Sequence, residues 1–139
     1  MMKINEFIKD NLKVTYPADE YSSLKLKDMM TTSRLPHIVC EDGFSMSVQV
    51  GYSLYSTPKK VAKRYSAVEI GYPSEPEELI KEWAEWIPFS EEDGEPDYTD
   101  TVYPYVPVGV VDKVLKKHGG IDLAETLRRS DGLPEEVAS

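Results

Sequence analysis

The sequence contains two histidines and one cysteine, residue types that often act as acid–base and nucleophilic groups. A cysteine nucleophile needs an imidazole within hydrogen-bond reach of its thiol. His37 and Cys40 lie three residues apart in a stretch that predicts a β-strand, where such side chains point to opposite faces. We therefore expect Cys40 to be a small core residue without a catalytic role. A catalytic pair of Cys40 and His118 remains an alternative. The pattern places His118 at the end of a helix but does not indicate how far that end lies from Cys40.

The acidic residues are concentrated in residues 75–100, here called the acidic segment. Eleven acids and a single base, Lys81, give this segment a charge of −10, whereas the rest of the chain carries +1. Its clustered acids lack the separated environments that glycosidase carboxylates need and the spacing of a calcium-binding loop. A carboxylate pair and a weak metal site remain as minor alternatives. We expect a solvated acidic surface, with no metal and no cofactor.

Tyrosines form a second group in the predicted strands and the loops beside them. These tyrosines are Tyr52, Tyr55, Tyr65, Tyr72, Tyr98, Tyr103 and Tyr105. Tyrosine combines rigid contact area with a polar tip, so such a set beside acids indicates a recognition surface, although tyrosine also favours strands. The predicted partner-binding residues are Glu91, Glu92, Asp93, Asp97, Tyr98, Asp100, Tyr103 and Tyr105.

A basic cluster offers an alternative, ligand-binding site. Residues 51–64 predict a long loop that carries Lys59, Lys60, Lys63 and Arg64. Loops of this length inside a compact domain are uncommon unless they are functional. A glycine-rich phosphate-binding motif is missing, so a solvated basic loop is the simpler interpretation. The alternative prediction is a small-molecule or nucleotide site formed by Ser45, Ser47, Gln49, Lys59 and Lys60.

The strand–turn–strand stretch at 37–50 is the element around which we expect the sheet to form. Apolar and polar residues alternate from Phe44 to Val50, which is typical of a strand with one buried face. A two-residue turn would pair Glu41 with Phe44. A three-residue turn with a left-handed Gly43 collects the apolar residues on one face and is favoured. Its predicted pairs are Cys40 with Phe44 and Ile38 with Met46.

The remaining patterns predict five helices and two further strands. They are helices at 3–13, 21–32, 75–87, 107–118 and 123–129, and strands at 65–72 and 101–106. Ser74 and Glu77 are expected to cap the third helix, whose Trp83 and Trp86 should lie in the core. Residues 88–100 should form a mobile acidic loop. This order indicates an α+β fold, an antiparallel sheet of about four strands with helices packed on one face.

Length and composition fit one domain with a modest core, since the chain has 139 residues and 40% apolar content. We expect a single domain over residues 1–130 and a frayed tail over 131–139. A lone cysteine excludes an intramolecular disulfide. The chain has no apolar run that could span a bilayer and no signal-peptide segment, so we expect a cytoplasmic protein without a membrane partner. The net charge of −9 argues against direct contact with nucleic acid.

Four short blocks resemble a group of small uncharacterised proteins of phages and prophages from gut and rumen bacteria. They are CEDGFSMSVQ at 40–49, VEIGYPS at 68–74, VYPYVP at 102–107 and KHGGI at 117–121. The resemblance implies no catalytic residue but a setting, a virus or mobile element, in which short acidic proteins often act by occupying a host protein. We expect a non-catalytic protein that blocks a basic host surface by imitating phosphate charge. A small-molecule binder and a small enzyme are the alternatives.

Overall fold

An antiparallel sheet of four strands forms the centre of the fold in the computed structural model of the chain. The structure describes residues 1–15, 31–32, 34–51, 54–60, 62–87, 92 and 94–130. The strands are β1 (Val14–Thr15) and β2 (Thr31–Thr32) in a small separate sheet, and β3 (Ile38–Val39), β4 (Ser45–Gln49), β5 (Ala67–Gly71) and β6 (Val102–Pro107) in the main sheet. The main strands lie side by side in chain order, and each neighbouring pair is antiparallel.

Helices pack on this sheet and complete one hydrophobic core. They are α1 (Ile4–Asn11), a 3₁₀ helix (Glu78–Trp83), α2 (Val108–Lys117) and α3 (Leu123–Ser130). α1 and α2 each contribute three buried apolar residues, Ile4, Phe7 and Ile8, and Val111, Val114 and Leu115. The same core contains Met46, Val48 and Ile70 of the sheet, so the predicted α+β class is confirmed. None of the helices among the described residues has both the length and the apolarity needed to cross a bilayer.

The hairpin has the register that the apolar alternation favoured. Ile38 pairs with Met46, and the Cys40 N–H donates to the Phe44 carbonyl at 2.7 Å. The Gly43 N–H closes the three-residue turn on the Cys40 carbonyl, with φ at +94°. Cys40, Phe44 and Met46 are all buried on the core side. The prediction of a left-handed glycine was therefore correct.

Both edges of the main sheet have a feature that limits further pairing. β6 is an edge strand, as Pro104 predicted, and its register against β5 shifts at a bulge between Val68 and Ile70. Tyr105, within the bulged stretch of β6, has a left-handed backbone with φ at +55°. At the opposite edge, Thr126 of α3 accepts a hydrogen bond from the Val39 N–H at 2.9 Å. α3 thereby gives a hydrogen-bond partner to a backbone N–H group that an exposed edge strand would leave unpaired.

The predicted helix at 21–32 is wrong at its end. Thr31 and Thr32 form β2 and pair with Thr15 and Val14 of β1. Threonine is β-branched and loses side-chain freedom in a helix, which favours the extended conformation here. Residues 21–30 of this prediction lie outside the described residues.

The predicted helix at 75–87 is reduced to the 3₁₀ helix Glu78–Trp83, and its cap differs from the expected one. Ser74 bonds to Ser45 instead: its N–H donates to the Ser45 carbonyl, and its hydroxyl accepts from the Ser45 N–H. Glu77 is the actual cap residue, and its carboxylate accepts from the Leu79 N–H at 3.0 Å. The hydrogen bonds of Ser74 therefore go to Ser45 at the start of β4, and the predicted capping box does not form.

Candidate functional site

Two glycines end α2 and set the direction of His118. Gly119 and Gly120 have φ of +88° and +92°, as the predicted helix stop requires. The Gly120 N–H donates to the Leu115 carbonyl at 2.8 Å, and the Gly119 N–H donates to the Lys116 carbonyl at 3.2 Å. These two bonds form a Schellman motif, with His118 as the cap residue between helix and glycines.

The hairpin turn docks on this end of α2. The Asp42 N–H donates to the His118 carbonyl at 3.2 Å, and the Glu41 N–H donates to the Gly120 carbonyl at 2.9 Å. Carbonyls at a helix end have no partner within the helix, so these donors stabilise it. A Cβ atom on Gly119 would lie 3.1 Å from the Cβ of Glu41, which shows how closely the two backbones approach.

Docking places the His118 imidazole between two carboxylates. Its Nδ1 lies 2.6 Å from Asp42 Oδ2, and its Nε2 lies 2.7 Å from Glu77 Oε1. A neutral imidazole has only one N–H, so two bonds to carboxylates favour the imidazolium form. The Phe44 ring stacks on the imidazole, with centroids 4.0 Å apart and planes 11° from parallel. This stacking suits a cation over an aromatic face.

Lys117 completes the group, which we call the His118 cluster: Asp42, Glu77, Lys117 and His118. Lys117 Nζ lies 2.9 Å from Glu77 Oε2, so the Glu77 carboxylate receives hydrogen bonds from Lys117, His118 and the Leu79 N–H. The Glu77 side chain is only 1% exposed. A buried carboxylate is stable when its charge is paired and its oxygens are hydrogen-bonded, and Glu77 meets both conditions.

The pKa values of the His118 cluster follow from this geometry. Burial alone would lower the pKa of His118, but its hydrogen bonds and charge interactions with Asp42 and Glu77 raise it above its usual value. Burial alone would raise the pKa of Glu77, but the bonds from Leu79, Lys117 and His118 together lower it. The Phe44 N–H and His118 lower the pKa of Asp42. Two negative and two positive groups therefore face each other.

This arrangement is suited to holding three elements of the fold together, and less suited to transferring a proton to a substrate. Both nitrogens of His118 are bonded to carboxylates, so neither is open to accept a substrate proton. The three bonded side chains come from the hairpin turn, the cap of the 3₁₀ helix and the end of α2. Sequence reasoning missed the cluster, because Asp42, Glu77 and His118 are distant along the chain. Only the Asp-Gly turn and the His-Gly-Gly stop were visible, as separate local signals.

Cys40 has no imidazole bonded to its thiol. His37 is exposed, whereas Cys40 is buried, as the opposite orientation on one strand predicted. Both His118 nitrogens are bonded to carboxylates, so the Cys40–His118 pair that the sequence left as an alternative does not form. Burial, then the nearby Asp42 and Glu41 carboxylates, raise the pKa of the Cys40 thiol to about 12. The thiol therefore stays protonated near neutral pH, and the absence of a catalytic role remains a prediction.

Part of the acidic segment is an ordered turn. Asp97 Oδ1 accepts from the Thr99 N–H at 3.0 Å and from the Thr99 hydroxyl at 2.5 Å, and these bonds lower the pKa of Asp97. The Tyr98 carbonyl accepts from the Tyr103 hydroxyl at 2.5 Å, which ties the turn to β6. A mobile loop was predicted over 88–100, and residues 97–100 are a hydrogen-bonded turn instead. Residues 88–91 and 93 lie outside the described residues.

The start of β6 holds Tyr72 and Glu85 near each other through backbone hydrogen bonds. The Glu85 N–H donates to the Val102 carbonyl at 3.0 Å, and the Tyr72 N–H donates to the Thr101 carbonyl at 3.1 Å. Lys81 Nζ lies 4.7 Å from the centre of the Tyr98 ring. We call the resulting surface the acidic face, and its residues are Tyr72, Glu85, Trp86, Tyr98 and Asp100.

Trp86 is the most exposed large side chain on the acidic face. It is 69% exposed, and Tyr72 is 50% exposed. The prediction that both tryptophans lie in the core was half wrong: Trp83 packs partly buried against the core, but Trp86 does not. The 3₁₀ helix ends at Trp83, and Ala84 has φ of −59° and ψ of 126°, which lies outside the helical region. Helical spacing therefore no longer applies at Trp86.

The other predicted partner-binding residues differ in exposure where the structure describes them. Tyr103 is fully buried, and its ring has no surface to offer a partner; burial raises its pKa to about 12. Tyr105 is 43% exposed, and the centre of its ring lies 5.7 Å from that of Tyr55. Glu92 is exposed. Glu91 and Asp93 lie outside the described residues.

The alternative ligand-binding residues are divided between the interior and the surface. Ser47 and Gln49 are buried, because the Gln49 amide bonds to the Leu35 backbone and to the Ser47 hydroxyl. Ser45 is partly buried. Lys59 and Lys60 are exposed, and Lys59 Nζ lies 5.1 Å from the centre of the Tyr55 ring. These five side chains therefore do not line one common cavity.

Within the described residues, no three histidine, cysteine or acidic side chains are placed to hold a metal ion. Comparison of the chain with protein-family models, with curated proteins and with solved structures finds no match.

Proposed function

We propose that the protein is a non-catalytic interaction protein, encoded by a phage or prophage, whose acidic face binds and blocks a basic surface of a host protein. The charge of the acidic segment supports this function, because −10 in 26 residues attracts a basic partner over a distance. The ordered turn at 97–100 supports it further, since a preformed surface loses less entropy on binding.

The observation that carries the proposal is the exposure of Trp86, which follows Glu85 in the acidic segment. A tryptophan that is 69% exposed leaves a large apolar surface in water. Glu82 and Glu85 are exposed beside it in the sequence. Tryptophan is enriched at the centres of protein interfaces, where it contributes more binding free energy than most residues. An exposed tryptophan in an acidic stretch of the chain fits a partner with a basic rim around an apolar pocket.

The first test is the variant Trp86→Ala, measured with the partner captured from a lysate of the producing bacterium. We expect the affinity to fall about thirtyfold, because an interface tryptophan of this kind contributes about 2 kcal/mol or more. The free energy of unfolding should change by less than about 0.5 kcal/mol, since Trp86 lies at the surface. Leu127→Ala, which truncates an exposed leucine on α3, is the control and should retain the affinity. Equal affinity of Trp86→Ala and wild type would contradict the proposal.

The second test is the association rate as a function of salt. The paired change Glu85→Lys with Asp100→Lys should slow association about tenfold at low salt, because long-range charge acts mainly on encounter. The difference should shrink at 1 M salt, where the Debye length is only about 3 Å. Glu6→Lys with Asp10→Lys on α1 changes the net charge equally and should have a smaller effect. An association rate that is indifferent to salt and to both pairs would contradict an electrostatic role.

A further inference from the structure

A groove separate from the acidic face lies between α1, the loop before β5 and the start of α2. Its volume is about 910 Å³, at the upper end of the range for small-ligand sites. Four apolar side chains contribute to its lining: Ile8, Leu12, Ala62 and Val108. This lining can accept an apolar body that would otherwise stay in water.

Basic side chains from two parts of the chain also line the groove. They are Lys3, Lys9, Lys63 and Arg64. In the part of the chain that the structure describes, none of these four side chains makes an ion pair or a side-chain hydrogen bond. Four cations without a carboxylate partner around one groove are notable in a protein of net charge −9. Their positive charge is therefore available to bind an anionic ligand.

The other polar groups of the groove are mostly occupied within the protein. The Asp112 carboxylate accepts from the Ile4 N–H at 2.8 Å at the start of α1. The Asn5 amide bonds the backbone of Tyr65 in both directions, at 2.9 and 3.0 Å. Glu6 is the remaining acid of the lining. The lining thus offers four positive charges against two negative ones, of which Asp112 is already hydrogen-bonded.

The wall formed by the loop is held in place before any ligand binds. The Tyr65 hydroxyl accepts from the Ala62 N–H at 3.0 Å and donates to the Lys60 carbonyl at 3.1 Å. Together with the bonds of Asn5, these contacts join the loop to α1 and to the start of β5. A preformed groove binds a ligand without first having to order its walls.

We infer that this groove binds a small organic anion, a molecule with an apolar body and a carboxylate or phosphate head. The apolar lining takes the body, and the head lies against Lys63 and Arg64, whose guanidinium can bond both oxygens of a carboxylate. This site differs from the one expected from sequence, because Lys59 and Lys60 do not line the groove. It is also independent of the acidic face, so either proposal can fail without the other.

The experiment compares two probes that share an apolar chain and differ in head charge, decanoate and decyltrimethylammonium. Binding is followed by amide NMR chemical shifts of the full chain. Decanoate should shift the amides of Leu12, Ala62 and Val108, with saturation. The cationic probe should bind at least about tenfold more weakly, because its head meets the same positive rim.

Variants then locate the head group. Lys63→Glu with Arg64→Glu should weaken decanoate binding about tenfold or more. Lys113→Glu with Lys116→Glu, two exposed lysines on α2 outside the lining, makes the same change in net charge and should leave the affinity within about twofold. Ala62→Trp, which fills the groove while keeping the Ala62 N–H, should abolish binding. Thermal melts of each variant confirm that the fold is kept.

Three results would overturn the inference. Equal binding of the two probes would mean that head charge is not recognised. Decanoate shifts that lie outside the groove would place the binding elsewhere. A chain lacking residues 131–139 whose groove amides shift without any probe would mean that the chain itself occupies the groove.

Discussion

The imidazole of His118 is bonded to Asp42 and Glu77, so folding changes the pKa of all three groups. The His118 pKa is raised, and its stabilising contribution is therefore full below the unfolded value of about 6.5 and lost as pH rises through the folded value. The pKa values of Asp42 and Glu77 are lowered. Their contribution is full above about pH 4.5 and lost as pH falls through their folded values.

We therefore predict that the free energy of unfolding is highest between about pH 5 and 6.5 and falls on both sides. His118→Gln should remove the fall on the alkaline side. It should also cost roughly 1.5–3 kcal/mol, the range for a hydrogen bond to a charged group, because Glu77 loses its bond from His118 but keeps those from Lys117 and the Leu79 N–H. Denaturant melts of wild type and variant across this pH range measure both effects.

His37→Gln is the matched control for this pH dependence. Desolvation, then Arg129 and Arg34, lower the pKa of His37, so this residue acts in the opposite sense to His118. The variant should keep the alkaline fall in stability. A wild-type protein whose stability is flat from pH 6 to 9 would contradict the charged form of the His118 cluster.

Phe44 is the second residue with a large expected effect. Its side chain is 3% exposed, lies on the core face of the hairpin and stacks on His118. Phe44→Ala should cost roughly 3–5 kcal/mol, the range for removal of a buried aromatic ring. Denaturant melts provide the measurement, and a loss below about 1 kcal/mol would show that the ring is not packed as described.

At the level of elements, the three-residue turn determines which residues of the hairpin face the core. Gly43 has φ of +94°, a conformation that L-residues rarely adopt, and a Cβ atom there would meet nothing within 4 Å. Gly43→Ala should therefore cost about 1–2 kcal/mol for backbone strain alone. Gly109, in the first turn of α2, also has open space at the Cβ position but no positive φ. The same substitution there should stabilise the protein by up to about 1 kcal/mol.

Thermal melts of these two variants test the backbone argument, because the atoms added are identical and only the conformation differs. Changes in melting temperature of equal size and sign in the two variants would contradict the backbone argument.

For the whole molecule, α1 connects parts of the chain that are far apart in sequence. The Ile4 N–H bonds to Asp112, and Asn5 bonds to Tyr65. Ile4, Phe7 and Ile8 are at most 2% exposed. Burying each side chain contributes about 1.5–3 kcal/mol, so the three together contribute roughly 5–9 kcal/mol. That is comparable with the whole free energy of unfolding of a typical domain, about 5–15 kcal/mol.

We predict that a chain lacking residues 1–12 loses cooperative unfolding and the dispersion of its amide NMR spectrum. A chain lacking residues 131–139 is the control and should unfold as wild type does, since we expect a frayed tail there. Those residues lie outside the described part of the structure. A cooperative melt of the chain without residues 1–12 would show that the remaining elements form a sufficient core.

The sequence by itself determined the elements whose signals are local. Alternation from Phe44 to Val50, the left-handed Gly43 and the glycines after His118 each depend on the backbone of a few neighbouring residues. At these positions the backbone preferences of the short stretch agree with the packing around it. For that reason the hairpin register, the edge position of β6 and the end of α2 were predicted correctly.

Only the tertiary structure decided which distant residues meet. The spacing of Ser74 and Glu77 is compatible both with a capping box and with a buried carboxylate, and the position of His118 selects the second. Trp86 fits a helical stripe in the sequence, but the 3₁₀ helix ends before it. The groove likewise needs α1 and residues 62–64 side by side. Such contacts depend on packing between elements, which local backbone preferences do not encode.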